Sequence, residues 1–171
     1  GVRAASMSSP IPVVVAGALG RMGAEVIRAV LNAEDCQLVG AIDNTPGKEG
    51  VDVGLELGIK ELEVAVTADF EGCLCAVSQS VRNSNQSAVL VDFTHPSVVF
   101  DHTRAAIAYG VHPVIGTTGL SPTQLNDLTE FSAKASIGGA VIPNFSVGMV
   151  LLQQAAAAAA RFYDHAELTE L

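Results

Sequence analysis

The chain has 171 residues, enough to bury one sizeable core and too few for two complete domains. Nine basic against eighteen acidic residues give a net charge of −9, which argues against a nucleic-acid partner, since that association is driven by phosphate neutralisation. Aromatics make up only 5%, a composition suited to buried parallel strands between alanine-rich helices, and no apolar run is long enough to span a bilayer.

Residues 1–9 are small, hydroxylated and Arg-bearing, and no acidic residue precedes Glu25. Residues 1–11 therefore read as a disordered leader, either a transit-peptide remnant or a tag remnant, outside the fold. The first element is an apolar strand over 12–16. It runs into Gly17-Ala18-Leu19-Gly20-Arg21-Met22-Gly23 and then a helix-patterned segment over 24–32. Glycine is needed where the backbone turns tightly and where a Cβ would hold a pyrophosphate away from a helix N-terminus, whose free N–H groups and dipole favour anions. The loop reads as a phosphate cradle. A glycine turn that merely joins strand to helix is the plainer alternative, although Arg21, a cation at the positive end of a helix, is better explained by an anion nearby. A second strand over 37–42 ends at Asp43, twenty residues after Gly23, where a dinucleotide fold places the carboxylate for the adenosine ribose.

After Asp43 come a loop of breakers over 45–50, a short irregular element over 51–58 and a strand over 63–67. The segment 69–87 reads as containing an exposed loop, with Cys73 and Cys75 sharing one face of a strand. With Cys36 these make three reduced thiols; neither a disulfide framework nor a zinc site follows. A buried strand over 88–93 stops at Thr94-His95-Pro96, and a helix over 97–109 closes at Gly110. The strand His112-Pro113-Val114-Ile115 ends in Gly116-Thr117-Thr118-Gly119. Ser121 as N-cap and Pro122 at the first helical position then start a helix to about Ala135. A strand over 139–142, the turn Pro143-Asn144-Phe145-Ser146, a helix over 147–162 and the start of a strand over 166–171 complete the chain. This alternation predicts an α/β fold, a Rossmann-like doubly wound parallel sheet, whose polar strand ends converge on one crevice. His95, His102, His112 and His165 read as strand-end, helix-surface, strand-start and helix-exit residues.

Four segments, Val15-Ala16-Gly17-Ala18-Leu19-Gly20-Arg21-Met22-Gly23, Val91-Asp92-Phe93-Thr94-His95-Pro96, Val114-Ile115-Gly116-Thr117-Thr118-Gly119-Leu120 and Pro143-Asn144-Phe145-Ser146-Val147-Gly148-Met149, carry a specific likeness. In this order they resemble the dihydrodipicolinate reductases (4-hydroxy-tetrahydrodipicolinate reductases) of the bacterial and plastid lysine pathway, most closely the cyanobacterial branch. The likeness covers nearly the whole chain. It implies NAD(P)H-dependent reduction of 4-hydroxy-tetrahydrodipicolinate, a small dicarboxylate, to tetrahydrodipicolinate. By the same resemblance Gly17, Ala18, Leu19, Gly20, Arg21 and Met22 would hold the pyrophosphate and Asp43 the adenosine ribose. Phe93, Gly116, Thr117 and Thr118 would border the cofactor, Thr118 also reaching the substrate, while Ile142, Pro143, Asn144 and Phe145 would contact the nicotinamide from a hinge.

Between NADH and NADPH the choice stays open: Asp43 favours NADH, Arg21 would pair with the extra phosphate of NADPH, and Asn44 stands where some relatives have arginine. The resemblance divides the chain into a dinucleotide-binding domain over 12–143 and, over 144–171, a hinge with the first helix and strand of a truncated α+β substrate domain. The family's His-His-x-x-Lys segment falls beyond Leu171, so no residue is assigned as proton donor, and none as metal ligand. The expectation is a chain that retains cofactor binding without activity of its own. Its family assembles as a homotetramer in the bacterial cytoplasm or the chloroplast stroma. A stand-alone dinucleotide-binding module and a different Rossmann dehydrogenase are the competing readings. The Gly116–Gly119 and Pro143–Ser146 segments speak against the first, and the Asp92–Pro96 wording against the second.

Overall fold

Runs of β-branched residues buried on both faces make the centre of the molecule. The structure, a computed structural model, describes residues 10–84, 86–116, 119–142 and 168–170. In chain order the elements are β1 (Ile11–Ala16), α1 (Arg21–Asn32), β2 (Cys36–Ile42), α2 (Val53–Glu56), β3 (Val66–Thr67), α3 (Phe70–Val81) and β4 (Val89–Asp92). They continue with α4 (Pro96–Ala108), β5 (His112–Ile115), α5 (Pro122–Ala135), β6 (Gly139–Val141) and β7 (Leu168–Glu170). The strands form one parallel sheet in the order β3-β2-β1-β4-β5-β6-β7. The chain winds outward from β1 to β3, returns to the centre and winds the other way from β4. β1 and β4 are therefore neighbours, with Ala16 beside Asp92. A crevice opens beyond the carboxyl ends of two such strands, because their connections leave to opposite sides of the sheet.

Alternation along β1 assigns the two faces. Val13 and Val15 pack with Val26, Ile27 and Val30 of α1. Val14 and Ala16 pack with Leu74 and Val77 of α3 and Ala106 of α4. Farther along, Val99 and Ile107 of α4 meet Leu128 of α5 over Ile115 and Val141. Each fully buried Val, Leu or Ile contributes about 1.5–3 kcal/mol, so this two-sided core sets the rigid frame on which the strand-end loops stand. α5 starts as predicted: Ser121 and Gln124 form a reciprocal capping box with Pro122 at the first helical position.

Three expectations need correction. β1 begins at Ile11, inside the predicted leader; Ile11 pairs with Cys36, and the Pro10 carbonyl accepts from Gln86 Nε2 at 2.7 Å. Residues 70–81 are helical rather than strand, because Asp69 caps the Gly72 N–H at 3.0 Å and Leu74 and Val77 share the face that meets the sheet; the exposed loop expected within 69–87 follows at 82–84. Cys73 and Cys75 accordingly do not share a strand face. Cys73 packs on the core, where burial and then the Asp69 charge push its thiol up to about 11; all three cysteines are free thiols. The strand predicted over 63–67 shortens to Val66–Thr67. Within the strand predicted over 166–171, the described residues Leu168–Glu170 form β7, which pairs parallel with β6 and extends the same sheet. The predicted helix over 147–162 lies outside the described residues. Among the described residues no helix is long and apolar enough to cross a membrane, and no group of metal-ligating side chains comes together.

The shortening of β3 follows from Asp52. Its carboxylate caps α2 through Leu55 N–H at 3.1 Å and also accepts from Leu62 and Val64 N–H at 3.0 and 3.1 Å, which curls the chain before it reaches the sheet. Partial burial raises its pKa, but these backbone donors outweigh that and hold it below its ordinary 3.8. A lowered carboxylate pKa contributes stability above the unfolded value and loses it as pH falls through the folded one. Asp52→Asn is therefore expected to be less stable than the parent at pH 7, with the difference shrinking below about pH 3.8. Urea unfolding of both proteins at pH 7 and pH 3 checks this; a difference that is constant with pH contradicts it.

Candidate functional site

The turn leaving β1 is tight enough to dictate its residues. Gly17 has φ +79°, and its N–H and that of Ala18 both donate to the Ile42 carbonyl, at 2.8 and 3.1 Å. A Cβ on Gly17 would stand 3.0 Å from the carbonyl carbon and oxygen of Phe93, whose own N–H donates to Ala16. The loop is thus bound to β2 on one side and to the end of β4 on the other. Gly20 N–H donates back to the Gly17 carbonyl at 3.1 Å, and Gly20 is the N-cap of α1 with no side-chain cap. A helix end of that kind presents its first-turn N–H groups and the positive end of its dipole outward. Arg21 is exposed at the first position, Met22 and Leu19 are half-buried, and Ala18 is buried beneath the turn.

Asp43 follows β2 and meets this loop directly. Its Oδ2 accepts the Leu19 N–H at 2.9 Å, while Oδ1 accepts the Thr45 N–H at 2.9 Å and the Thr45 hydroxyl at 2.5 Å. The carboxylate is held rigidly, and each oxygen keeps acceptor capacity for a ligand hydroxyl.

The third wall comes from β4 and its neighbours. Asp92 ends β4 with no exposure. Oδ1 accepts the Thr94 N–H at 2.8 Å and the Thr94 hydroxyl; Oδ2 lies 3.1 Å from His102 Nδ1 on α4. Phe70 stacks on the His102 ring at 3.8 Å between centroids. His95 is the N-cap of α4, its Nδ1 accepting the Ser97 N–H at 3.1 Å. These elements enclose a cleft of about 340 Å³ lined by Gly17, Ile42, Asp43, Asn44, Ala68, Phe70, Thr94, His95, Ser97, Val98 and His102. Such a volume, part apolar with a few fixed polar groups, suits one end of a small organic ligand.

Of the residues singled out in the sequence, Gly17 and Asp43 line this cleft, Ala18 to Met22 form the turn and helix start above it, and Phe93 abuts Gly17. Gly116 and Ile142 stand farther along the same edge, their N–H groups donating to Asp92 and Ile115. They do not line the cleft. Thr117, Thr118, Pro143, Asn144, Phe145 and His165 lie outside the described residues. His102, expected on a helix surface, is instead an inner wall of the cleft, with 19% of its side chain exposed. His112 is buried against the Gly138 carbonyl at 2.8 Å, and burial pushes its pKa down, an effect the carbonyl partly offsets; it is a core residue on the far side from the cleft edge of β5. The sequence does not point to Phe70 and His102 as partners, because they come from different helices and nothing local marks their meeting.

A family model described as "Dihydrodipicolinate reductase, N-terminus" matches residues 11–145. The 4-hydroxy-tetrahydrodipicolinate reductase of Synechococcus sp. (strain CC9902) is 96% identical over 165 residues, covering 96% of this chain and 60% of the relative. That of Prochlorococcus marinus (strain MIT 9313) is 77% identical, covering 94% and 58%. Among solved structures, the dipicolinate-bound dihydrodipicolinate reductase from Paenisporosarcina sp. TG-14 is similar at TM-score 0.62 and 32% identity, covering 84% of this chain and 51% of that one. The WlbA dehydrogenase from Thermus thermophilus, solved with NAD and UDP-GlcNAcA, has TM-score 0.61 at 16% identity over 77% of this chain and 41% of its own, a likeness of fold. The chain thus spans about 60% of the length of the curated relatives it matches.

Proposed function

The chain belongs to the dihydrodipicolinate reductase family, and from that premise we propose that it is the dinucleotide-binding part of an NAD(P)H-dependent reductase acting on 4-hydroxy-tetrahydrodipicolinate. The observation that carries the proposal is the uncapped N-terminus at Gly20, joined through Leu19 to the Asp43 carboxylate at the reversal of the sheet. A Cβ on Gly23 would collide with the Gly17 carbonyl and one on Gly17 would press on the Phe93 carbonyl, so both positions need glycine for the turn to close beneath the helix start.

In this reading the nucleotide unit is 12–143, and 144–171 leads toward the substrate-binding part. The pyrophosphate lies against the turn from Gly17 to Met22 and is received on the first-turn N–H groups of α1 at Arg21 and Met22, because those of Gly17 to Gly20 already donate within the protein. Asp43, its orientation set by Leu19 and Thr45, accepts the ribose hydroxyls. Phe93, Gly116, Thr117, Thr118, Ile142, Pro143, Asn144 and Phe145 border the nicotinamide end, with Thr118 reaching the substrate. The bound cofactor supplies hydride; the chain's part is to hold it at fixed distance from the acceptor, where orientation is a large share of the rate. The substrate is a small dicarboxylate, as dipicolinate is the ligand of the Paenisporosarcina relative. On the pattern of the family, the assembly is read as a homotetramer of the bacterial cytoplasm or the chloroplast stroma.

Calorimetric titration with NADH and NADPH, repeated with pyridine-2,6-dicarboxylate present, tests the proposal. Saturable nucleotide binding that ignores the dicarboxylate is expected; folded chain that binds neither nucleotide sinks it. Arg21→Ala is expected to weaken NADPH about three- to fivefold more than NADH, the size of an exposed ion pair. Equal losses would remove Arg21 from any phosphate role.

A further inference from the structure

The reading above leaves unused the polar cluster behind the cleft. Asp92 is a carboxylate with no exposure, and such a group requires partners on both oxygens. Thr94 supplies one side with its N–H and hydroxyl, and His102 the other, 3.1 Å from Oδ2 and 3.1 Å from Thr94 Oγ1. The Thr94 hydroxyl hydrogen is given to Asp92 Oδ1. His102 must therefore carry a proton on Nδ1 to satisfy both neighbours. The ring has little freedom to leave, because Phe70 of α3 lies flat on it at 3.8 Å with 8° between planes. One imidazole thus ties β4, α3 and α4 together. What they hold is the turn Phe93-Thr94-His95, which abuts Gly17 and walls the cleft.

We infer that His102 is a positioning residue for the nucleotide: clamped between Asp92 and Phe70, it holds the turn after β4 in ligand-receiving form. The inference rests on the dinucleotide reading.

NADH is titrated calorimetrically into the full chain and two variants at pH 7. His102→Asn, which keeps a donor for Asp92, is expected within about twofold of the parent. His102→Leu, which fills space against Phe70 but leaves Asp92 short of a donor, is expected about tenfold weaker. A folded leucine variant that binds like the parent overturns the inference, as does a folded asparagine variant that binds as weakly as is expected of the leucine variant. If the leucine variant fails to fold, the asparagine arm decides. A parent that binds no NADH defeats the dinucleotide reading itself, whereas a binding parent with unaltered His102 variants defeats only the role of His102.

Discussion

Gly23→Ala is expected to destabilise the protein by about 3 kcal/mol and to lower its thermal midpoint by roughly 6–12 °C. Helix propensity predicts the opposite, since alanine is worth about 1 kcal/mol over glycine inside a helix. Sterics win here. A Cβ on Gly23 would stand 2.0 Å from the Gly17 carbonyl oxygen, 2.8 Å from its carbon and 3.0 Å from Ala18 Cα. All three are backbone atoms, so no side-chain rotation relieves the overlap. Moving the Gly17 carbonyl breaks its bond from Gly20 N–H and disturbs a glycine already held against Ile42 and Phe93. Thermal and urea unfolding of the two proteins measure the effect; equal stability would mean that α1 does not sit on the turn as described.

Gly20→Asp separates binding from folding. Gly20 has φ −75° and ψ 169°, an extended conformation open to any residue, and its Cβ position meets nothing closer than the Gly17 oxygen at 3.4 Å. It is an exposed N-cap, where aspartate is among the preferred residues, so stability is expected to hold or to rise by a few tenths of a kcal/mol. The same carboxylate occupies the first-turn N–H groups and brings like charge to the pyrophosphate. That repulsion is worth several kcal/mol, so NADH affinity is expected to fall by at least about 100-fold. Unchanged affinity in a folded variant removes the phosphate cradle. On the proposed reading two glycines three residues apart have different duties: Gly23 lets the backbone close, and Gly20 keeps the anion's approach clear.

The regular elements were legible wherever one local rule dominated. β1, β2, β4 and β5 are short, nearly unbroken apolar runs, the pattern of strands buried on both faces, and each was read to within a residue. The capping box at Ser121 and Gln124 announces α5 from four residues. α3 was hidden because its second half, Ser78-Gln79-Ser80, has the composition of a loop while its anchoring residues are spaced for a helix. Asp52 was hidden for another reason: its three backbone partners lie up to twelve residues away, and no motif records them.

By itself the sequence determined the strand, glycine turn and helix at 12–32, the acid at 43, the α/β alternation and, through four worded segments, the family. These rest on periods, caps and glycine positions that act within a few residues, so they survive without knowledge of the fold. Only the tertiary structure decided that β4 lies beside β1, that Leu19 fastens Asp43, and that Phe70, Asp92 and His102 from three elements form one cluster behind the cleft. A buried carboxylate takes its partners from whatever the packing brings near, and that is settled by how two faces of one sheet are covered, not by any neighbouring residue in the chain.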